Sequence, residues 1–184
     1  MNAVLKHIML AVIVSFAITL SAYSQSNLKS KDLPNLYKVN ETLYRGGQPT
    51  EAGIDQLKSM GIRTVIDLRD SDERATNESL WAKAAGLTFI NIPLSNWLRP
   101  GDKKIDAVLK QIALAGNQPT FVHCKRGSDR TGTVIAAFRI SNDGWTADQA
   151  TAEAKKFGIG WWQFWMKDFI GDYYREHKSS QPVK

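Results

Sequence analysis

The stretch His123-Cys124-Lys125-Arg126-Gly127-Ser128-Asp129-Arg130-Thr131-Gly132 decides the fold, because it joins two apolar segments of different periodicity. Upstream, Pro119-Thr120-Phe121-Val122 reads as a short buried strand. Downstream, Thr131 to Ile140 reads as a helix with Val134, Ile135 and Phe138 on one face. The loop therefore hands a strand over to a helix N-terminus, where unpaired N–H groups and the helix dipole stabilise an anion without a metal. Gly127 lets the backbone curl around an oxyanion. Arg130, six positions after Cys124, offers a planar fork that grips two oxygens. The Cys124 sulfur shares this positive field, which is expected to lower its pKa from about 8.5 into the range of roughly 3.5–7.5. A thiolate beneath a caged phosphoryl group is a nucleophile aimed at phosphorus. Two blander readings stand beside this one: a small buried cysteine next to a solvated basic turn, and a cup that binds phosphate without turning it over.

Strand and helix patterns alternate outward from the loop. Leu36 to Arg45 reads as a hairpin around Asn40-Glu41. Thr50 caps a helix through Met60, with Ile54 and Leu57 on one face and Gly61 as its stop. Ile62 to Leu68 is a strand, Ser71 to Ala85 a helix and Leu87 to Ile92 another strand; Lys103 to Ala115 is a helix whose Ile105, Val108, Leu109 and Ile112 share a face. Thr146 and Gln149 form a capping box for a helix to about Phe157. A last helix is expected from Ile159 to His177, with Trp161, Trp165, Phe169 and Tyr173 as a core-facing stripe and Trp162 and Tyr174 as exposed contacts. The alternation predicts an α/β fold: a central, mostly parallel sheet of four to five strands with helices on both faces. Ligands of such sheets sit at the carboxyl ends of the strands, where Cys124 lies.

The segment His123 to Gly132 resembles the signature loop of the cysteine-dependent protein tyrosine phosphatases, in their dual-specificity-like branch, with exported bacterial members among the similar chains. A sulfurtransferase loop is one residue shorter. Tyr44-Arg45-Gly46-Gly47-Gln48-Pro49 and Asp67-Leu68-Arg69 also resemble segments of bacterial and plant relatives, so the likeness runs from about Leu36 to Phe157. The resemblance implies a protein-tyrosine-phosphatase-like fold. It makes Cys124 the nucleophile that forms a phosphocysteine, Arg130 the clamp on the phosphoryl oxygens, and Thr131 the hydroxyl that eases departure of the thiolate. Lys125, Arg126, Gly127, Ser128, Asp129 and Arg130 then form the phosphate-binding loop. Arg45 and Arg69 are expected to support the fold through surface ion pairs with carboxylates such as Glu73 or Asp67, or to reach toward the rim.

Cleavage of a phosphate ester also needs an acid to protonate the leaving oxygen. The family carries an aspartate for this some twenty to thirty-odd residues before the cysteine. In Pro93 to Asp102 the only carboxylate is Asp102, which also suits a helix N-cap; Asn96, Trp97 and Leu98 occupy the positions nearer the strand end. Asp102 is the expected acid and Asp129 the reserve, with orientation of the loop or of Arg130 as the structural role of Asp129. Nothing in the sequence requires a metal or a cofactor. The expected substrate is a phosphorylated protein, with phosphotyrosine first and dual specificity open; a small polyanionic ester such as an inositol polyphosphate or a phospholipid headgroup is the alternative.

The chain of 184 residues carries a net charge of +6. Lys125, Arg126, Arg99, Lys103 and Lys104 lie in or near the expected mouth and attract anions. The positive residues are dispersed and no nucleic-acid recognition motif is visible, so nucleic acid is not an expected partner. At the N-terminus, Lys6, the apolar run Ile8 to Leu20 and the small residues of Ala22-Tyr23-Ser24 read as a signal peptide cleaved before Gln25. The expected location is periplasmic or secreted, with no stable membrane insertion after cleavage; an uncleaved N-terminal anchor is the alternative, although the run is shorter than the roughly 17–25 residues of a spanning helix. With a single cysteine the fold has no intramolecular disulfide. The expected organisation is a signal peptide over 1–24, a polar linker over 25–35, a catalytic domain over 36–177 and a flexible tail over 178–184.

Overall fold

The computed structural model describes residues 31–178, so the expected signal peptide, most of the expected linker and residues 179–184 lie outside the described residues. Five strands form one sheet: β1 (Tyr37–Lys38), β2 (Leu43–Gly47), β3 (Thr64–Asp67), β4 (Thr88–Asn91) and β5 (Thr120–Cys124). Their order across the sheet is β1-β2-β5-β3-β4. The β1–β2 hairpin is antiparallel and every other pairing is parallel. Asn40 builds the hairpin turn by accepting hydrogen bonds from the Thr42 and Leu43 N–H groups at 2.9 and 2.7 Å. The nucleophile strand β5 is central, with Gly47 opposite Cys124 on one side and Asp67 opposite His123 on the other.

Side-chain alternation along β3 and β5 divides the core. Val65 and Phe121 face α1 (Glu51–Ser59) and α2 (Glu73–Ala84), where Ile54, Leu57 and Ala82 are buried. Ile66 and Val122 face the larger layer made by α3 (Asp102–Ala115), α4 (Asp129–Asp143), α5 (Ala147–Lys156) and α6 (Phe164–Lys178). Within that layer α4 is buried along nearly its whole length, so the helix that opens on the phosphate loop is the axle of the molecule. Thr50 and Thr146 cap α1 and α5 as their sequences predict, the second in a full capping box.

Two boundaries differ from the sequence expectation. Leu33 is buried, and the Asp32 carbonyl accepts from Thr50 N–H at 3.1 Å, so the packed body begins within the expected linker rather than at residue 36. The last helix begins at Phe164 rather than Ile159. Gly158 sits at φ +85°, and Gly160 and Gln163 spend their polar groups on the neighbouring loops, which holds residues 158–163 out of helical register. Trp161 consequently leaves the expected core stripe and is exposed, whereas Phe169 and Tyr173 are buried.

Candidate active site

The β5–α4 loop closes into a cup because Gly127 adopts φ +73° and lies against β2. A Cβ there would fall 2.4 Å from the Gly46 carbonyl carbon, so only glycine permits this approach. Arg45 is fully buried and donates from Nη2 to the Gly127 carbonyl at 2.7 Å, while its guanidinium lies 4.1 Å from the centre of the Phe157 ring. Burial lowers the Arg45 pKa to about 10. Its partner is thus a loop carbonyl, where the sequence suggested a surface carboxylate.

Cys124 is buried and free at the floor of the cup. Burial alone pushes its thiol up. Donation from the Thr131 hydroxyl and N–H, the charge of Arg130 and the Gly127 N–H outweigh burial, and the net shift is downward. Thr131 Oγ1 is buried and has no hydrogen-bond partner of good geometry, so its proton is uncommitted beside the sulfur. Arg130 is held at 3.4 Å from both the Leu68 and Leu94 carbonyls through Nη1, and its buried Nε has no partner, a donor left for a ligand oxygen. The cup opens into a cavity of about 420 Å³ lined by Cys124, Lys125, Arg126, Asp129 and Arg130 and, from the opposite wall, by Asp70, Arg74, Pro93 to Trp97 and Lys104.

The other expected site residues take different stations. Gly127 and Ser128 form the inner turn, with Ser128 as the α4 cap residue. Asp129 is buried; its Oδ1 accepts from Gly160 N–H at 2.8 Å and its Oδ2 from Arg126 Nη2 at 2.6 Å. It therefore orients Arg126 of the loop and the 158–163 segment; of the two roles the sequence suggested, the loop or Arg130, it serves the loop. Asp102 is exposed, follows the cap residue Gly101 as the first residue of α3, and is absent from the cavity wall. Arg99 pairs with Asp172, away from the wall.

Beside Cys124 in the chain, His123 joins a buried group of four ionisable residues in which the expected Arg69–Asp67 pair is present, and Glu78 and His123 are the members that the sequence left unrecognised. Arg69 Nη2 donates to Asp67 Oδ2 at 2.7 Å and to Glu78 Oε2 at 2.6 Å, and His123 Nε2 lies 2.7 Å from Glu78 Oε1. That last contact is a charge contact rather than a well-aligned hydrogen bond, since neither atom has a partner of good geometry. Burial pushes the His123 pKa down, but Glu78 and then Asp67 overcome it, and the net shift is upward. Asp67, Glu78 and His123 could by spacing hold a metal ion. Arg69 already occupies the face that both carboxylates share, so a dication would have to displace a guanidinium; the group fits an ion-pair cluster better than a metal site. These pairs are buried, and Glu78 rather than Glu73 completes them.

The family model for a dual-specificity-type tyrosine phosphatase fused to NAD+ kinase matches residues 17–163. The chain belongs to this family of cysteine-dependent phosphatases. The dual specificity protein phosphatase TpbA of Pseudomonas aeruginosa is 32% identical over 127 residues, covering 68% of this chain and 56% of TpbA. Inositol diphosphatase DSP1 of Oryza sativa is 27% identical over 109 residues, covering 57% of this chain and 49% of the relative. The chain thus spans about half the length of these curated relatives. Among solved structures, P. aeruginosa TpbA in complex with phosphotyrosine superposes with a TM-score of 0.66 at 23% identity, over 82% of this chain and 98% of that one. The catalytic core of the S. cerevisiae PP-IP phosphatase SIW14 superposes with a TM-score of 0.69 at 20% identity, over 80% and 90%. Both likenesses speak to the fold, and both are phosphatase folds of this superfamily.

For a phosphatase of this family, Asp70 and Arg74 are the wall residues that the sequence reading missed. The available signal was position. Asp70 lies just past the carboxyl end of β3, beside the central strand, where α/β sheets place ligands.

Proposed function

We propose that this phosphatase hydrolyses phosphomonoesters through a phosphocysteine, with phosphotyrosine in proteins as the preferred substrate class. The observation that carries the reading is the Cys124 thiol held low in pKa at the floor of a cup whose Arg130 keeps a buried, unpartnered donor. The thiolate attacks phosphorus in line, the P–O bond breaks, and the leaving phenoxide takes a proton. Water then attacks the phosphocysteine, releasing inorganic phosphate and returning the thiolate, whose charge the Thr131 proton stabilises. Loop N–H groups and the Arg130 fork meet the charge that develops on the equatorial oxygens.

For the proton donor the proposal turns from Asp102 to Asp70. Asp70 and Asp129 are the carboxylates of the cavity wall, and Asp129 is spent on Gly160 and Arg126. Asp70 gives its proton to the leaving oxygen and takes one back from the attacking water. Two features support an aryl substrate over a polyanion. Trp97 supplies an aromatic wall. Of the wall cations, Arg126 is tied to Asp129, Arg74 to Asp72 and Lys104 to the Pro93 carbonyl, so Lys125 alone stands ready for a further phosphate.

The test compares phosphate release from a phosphotyrosine peptide, a phosphothreonine peptide and inositol hexakisphosphate in excess EDTA. The expected order of kcat/KM puts phosphotyrosine first. A preference for inositol hexakisphosphate overturns the substrate class, and absence of turnover on all three overturns catalysis. Export through a leader removed before Gln25 belongs to the same reading; the intact mass of natively exported protein tests it.

A further inference from the structure

Around the mouth of the cavity runs a band of large apolar side chains that the core does not use. Trp97 and Leu98, on the loop between β4 and α3, are 75% and 68% exposed; Trp161, in the turn before α6, and Phe164, its first residue, are 76% and 55% exposed. Two contacts bring these distant segments together on one side of the mouth. Gln163, fully buried, donates from Nε2 to the Asn96 carbonyl at 3.2 Å. Trp162 lies 5.7 Å from the Arg126 guanidinium, itself part of the cavity wall. Trp161 meets Trp162 and Phe164 edge to face at 6.0 and 6.4 Å, which fixes the three rings as a unit. Lys167 braces that unit, donating to the Trp161 carbonyl at 2.7 Å with its ammonium 5.0 Å from the Phe164 ring centre. Exposed Lys103 and Lys125 stand beside the band, with Lys104 tied to the Pro93 carbonyl, Asp102 and Asp168 as exposed carboxylates of the flanking helices and Asp70 on the opposite cavity wall.

We infer that this rim docks the enzyme onto an anionic phospholipid bilayer, with Trp97, Leu98, Trp161 and Phe164 entering the headgroup layer and the lysines meeting lipid phosphates. The rim presents two exposed apolar knobs, Trp97 with Leu98 and the Trp161–Phe164 unit, beside the phosphate-binding cavity. A folded protein partner would need a matching socket for each knob, whereas a bilayer yields to each of them. Tryptophan on the apolar side with lysine at its edge is the pairing that settles at a membrane interface, and lysine stems add apolar surface beneath their charges. An exposed apolar patch flanking an active site is a mark of an interaction surface. The inference goes beyond the phosphatase reading and does not depend on its substrate.

Full-length Cys124→Ser protein, which separates binding from turnover, is titrated with vesicles of phosphatidylglycerol and phosphatidylcholine whose acyl chains are brominated, and tryptophan fluorescence is read. Residues 1–30 contain no tryptophan, so quenching reports the body of the protein even if the N-terminal apolar run also enters the bilayer. Quenching is expected with the anionic vesicles, weaker with pure phosphatidylcholine and weaker in high salt. Leu98→Ser/Phe164→Ser in the same background keeps all six tryptophans and is expected to lower partitioning at least tenfold. The same pair of substitutions in the Cys124 enzyme should leave turnover of p-nitrophenyl phosphate unchanged, which keeps a failure of docking distinct from a failure of catalysis. Absence of quenching in the parent, equal quenching in parent and double variant, or a concentration-dependent rise in mass without quenching, which would mark a protein partner, overturns the inference.

Discussion

Gly127→Ala should strike fold and site together, and its cost can be built from the local geometry. An L side chain at φ +73° costs about 1–2 kcal/mol. The new Cβ would stand 2.4, 2.5 and 2.6 Å from the Gly46 carbon, the Gly46 oxygen and the Gly47 nitrogen, all backbone, against the roughly 3.5–4.0 Å of normal carbon contact. The loop must therefore retreat from β2 by about 1 Å, which pulls the Gly127 carbonyl off Arg45. Loss of a hydrogen bond to a charged group adds about 1.5–3 kcal/mol. The expected total is about 2.5–5 kcal/mol. Urea unfolding followed by tryptophan fluorescence measures it, and calorimetric titration with tungstate reads the oxyanion cup. Gly61→Ala is the internal control: its φ is +85° with nothing within 4 Å of the added Cβ, so it should cost only the backbone part, about 1–2 kcal/mol. If the two variants lose the same stability and tungstate affinity at Gly127→Ala stays within twofold of the parent, the contact with β2 does not shape the cup.

Cys124→Ser should abolish turnover while keeping tungstate binding, and Arg130→Lys should be nearly as severe because an ammonium lacks the fork; residual activity of Cys124→Ser within about tenfold of the parent, a barrier change of ~1.4 kcal/mol, would remove the nucleophile assignment. Asp70→Asn should slow phosphotyrosine hydrolysis by about 10²–10⁴ and p-nitrophenyl phosphate distinctly less, since that leaving group is far more acidic than tyrosine at about 10; equal losses, or an equal loss on Asp102→Asn, would return the search to Asp102. Thr131→Ala removes a donor that helps hold the Cys124 pKa down, so the pH midpoint of iodoacetamide inactivation should rise; an unmoved midpoint contradicts the role of Thr131. Glu78→Gln breaks a buried charge cluster at a cost of about 3–5 kcal/mol. The folded-state pKa of His123 is raised, so its stabilisation is fully present below about pH 6.5 and is lost as pH rises through the raised value. Part of the variant's deficit should therefore fade with rising pH in urea titrations, and a pH-independent deficit would show that Glu78 does not hold a charged His123.

The sheet was legible because its strands and helices carry clean period-2 and period-3.6 patterns and because Thr50, Thr146 and Gln149 sit where caps must. The nucleophile and its phosphate loop were legible for a different reason: from His123 to Gly132 they are contiguous in sequence. What escaped is whatever spans sequence distance. Asp67, Arg69 and Glu78 sit on β3, on the loop after it and on α2, and they meet His123 only once β3 pairs with β5. The start of α6 was misjudged because the aromatic run beginning at Trp161 has helical spacing of its own. Tertiary contacts from Gly160 and Gln163 override that spacing. Asp102 drew attention as the only carboxylate of its loop, yet the loop turns it outward while Asp70, on another loop, enters the cavity wall.

The grip of Arg45 on the Gly127 carbonyl spans 82 residues of chain, and Asn35 reaches the same carbonyl from still earlier at 3.3 Å. The wall that shapes the phosphate cup is thus contributed by β2, early in the chain, and the nucleophile by β5, the last strand. A chain emerging from N- to C-terminus carries an ordinary cysteine, ionising near 8.5, until both ends have met. The lowered pKa of Cys124 is therefore acquired only when β2 has met the β5–α4 loop. Before that contact the thiol, though open to solvent, is mostly protonated at neutral pH and correspondingly slow as a nucleophile toward oxidants.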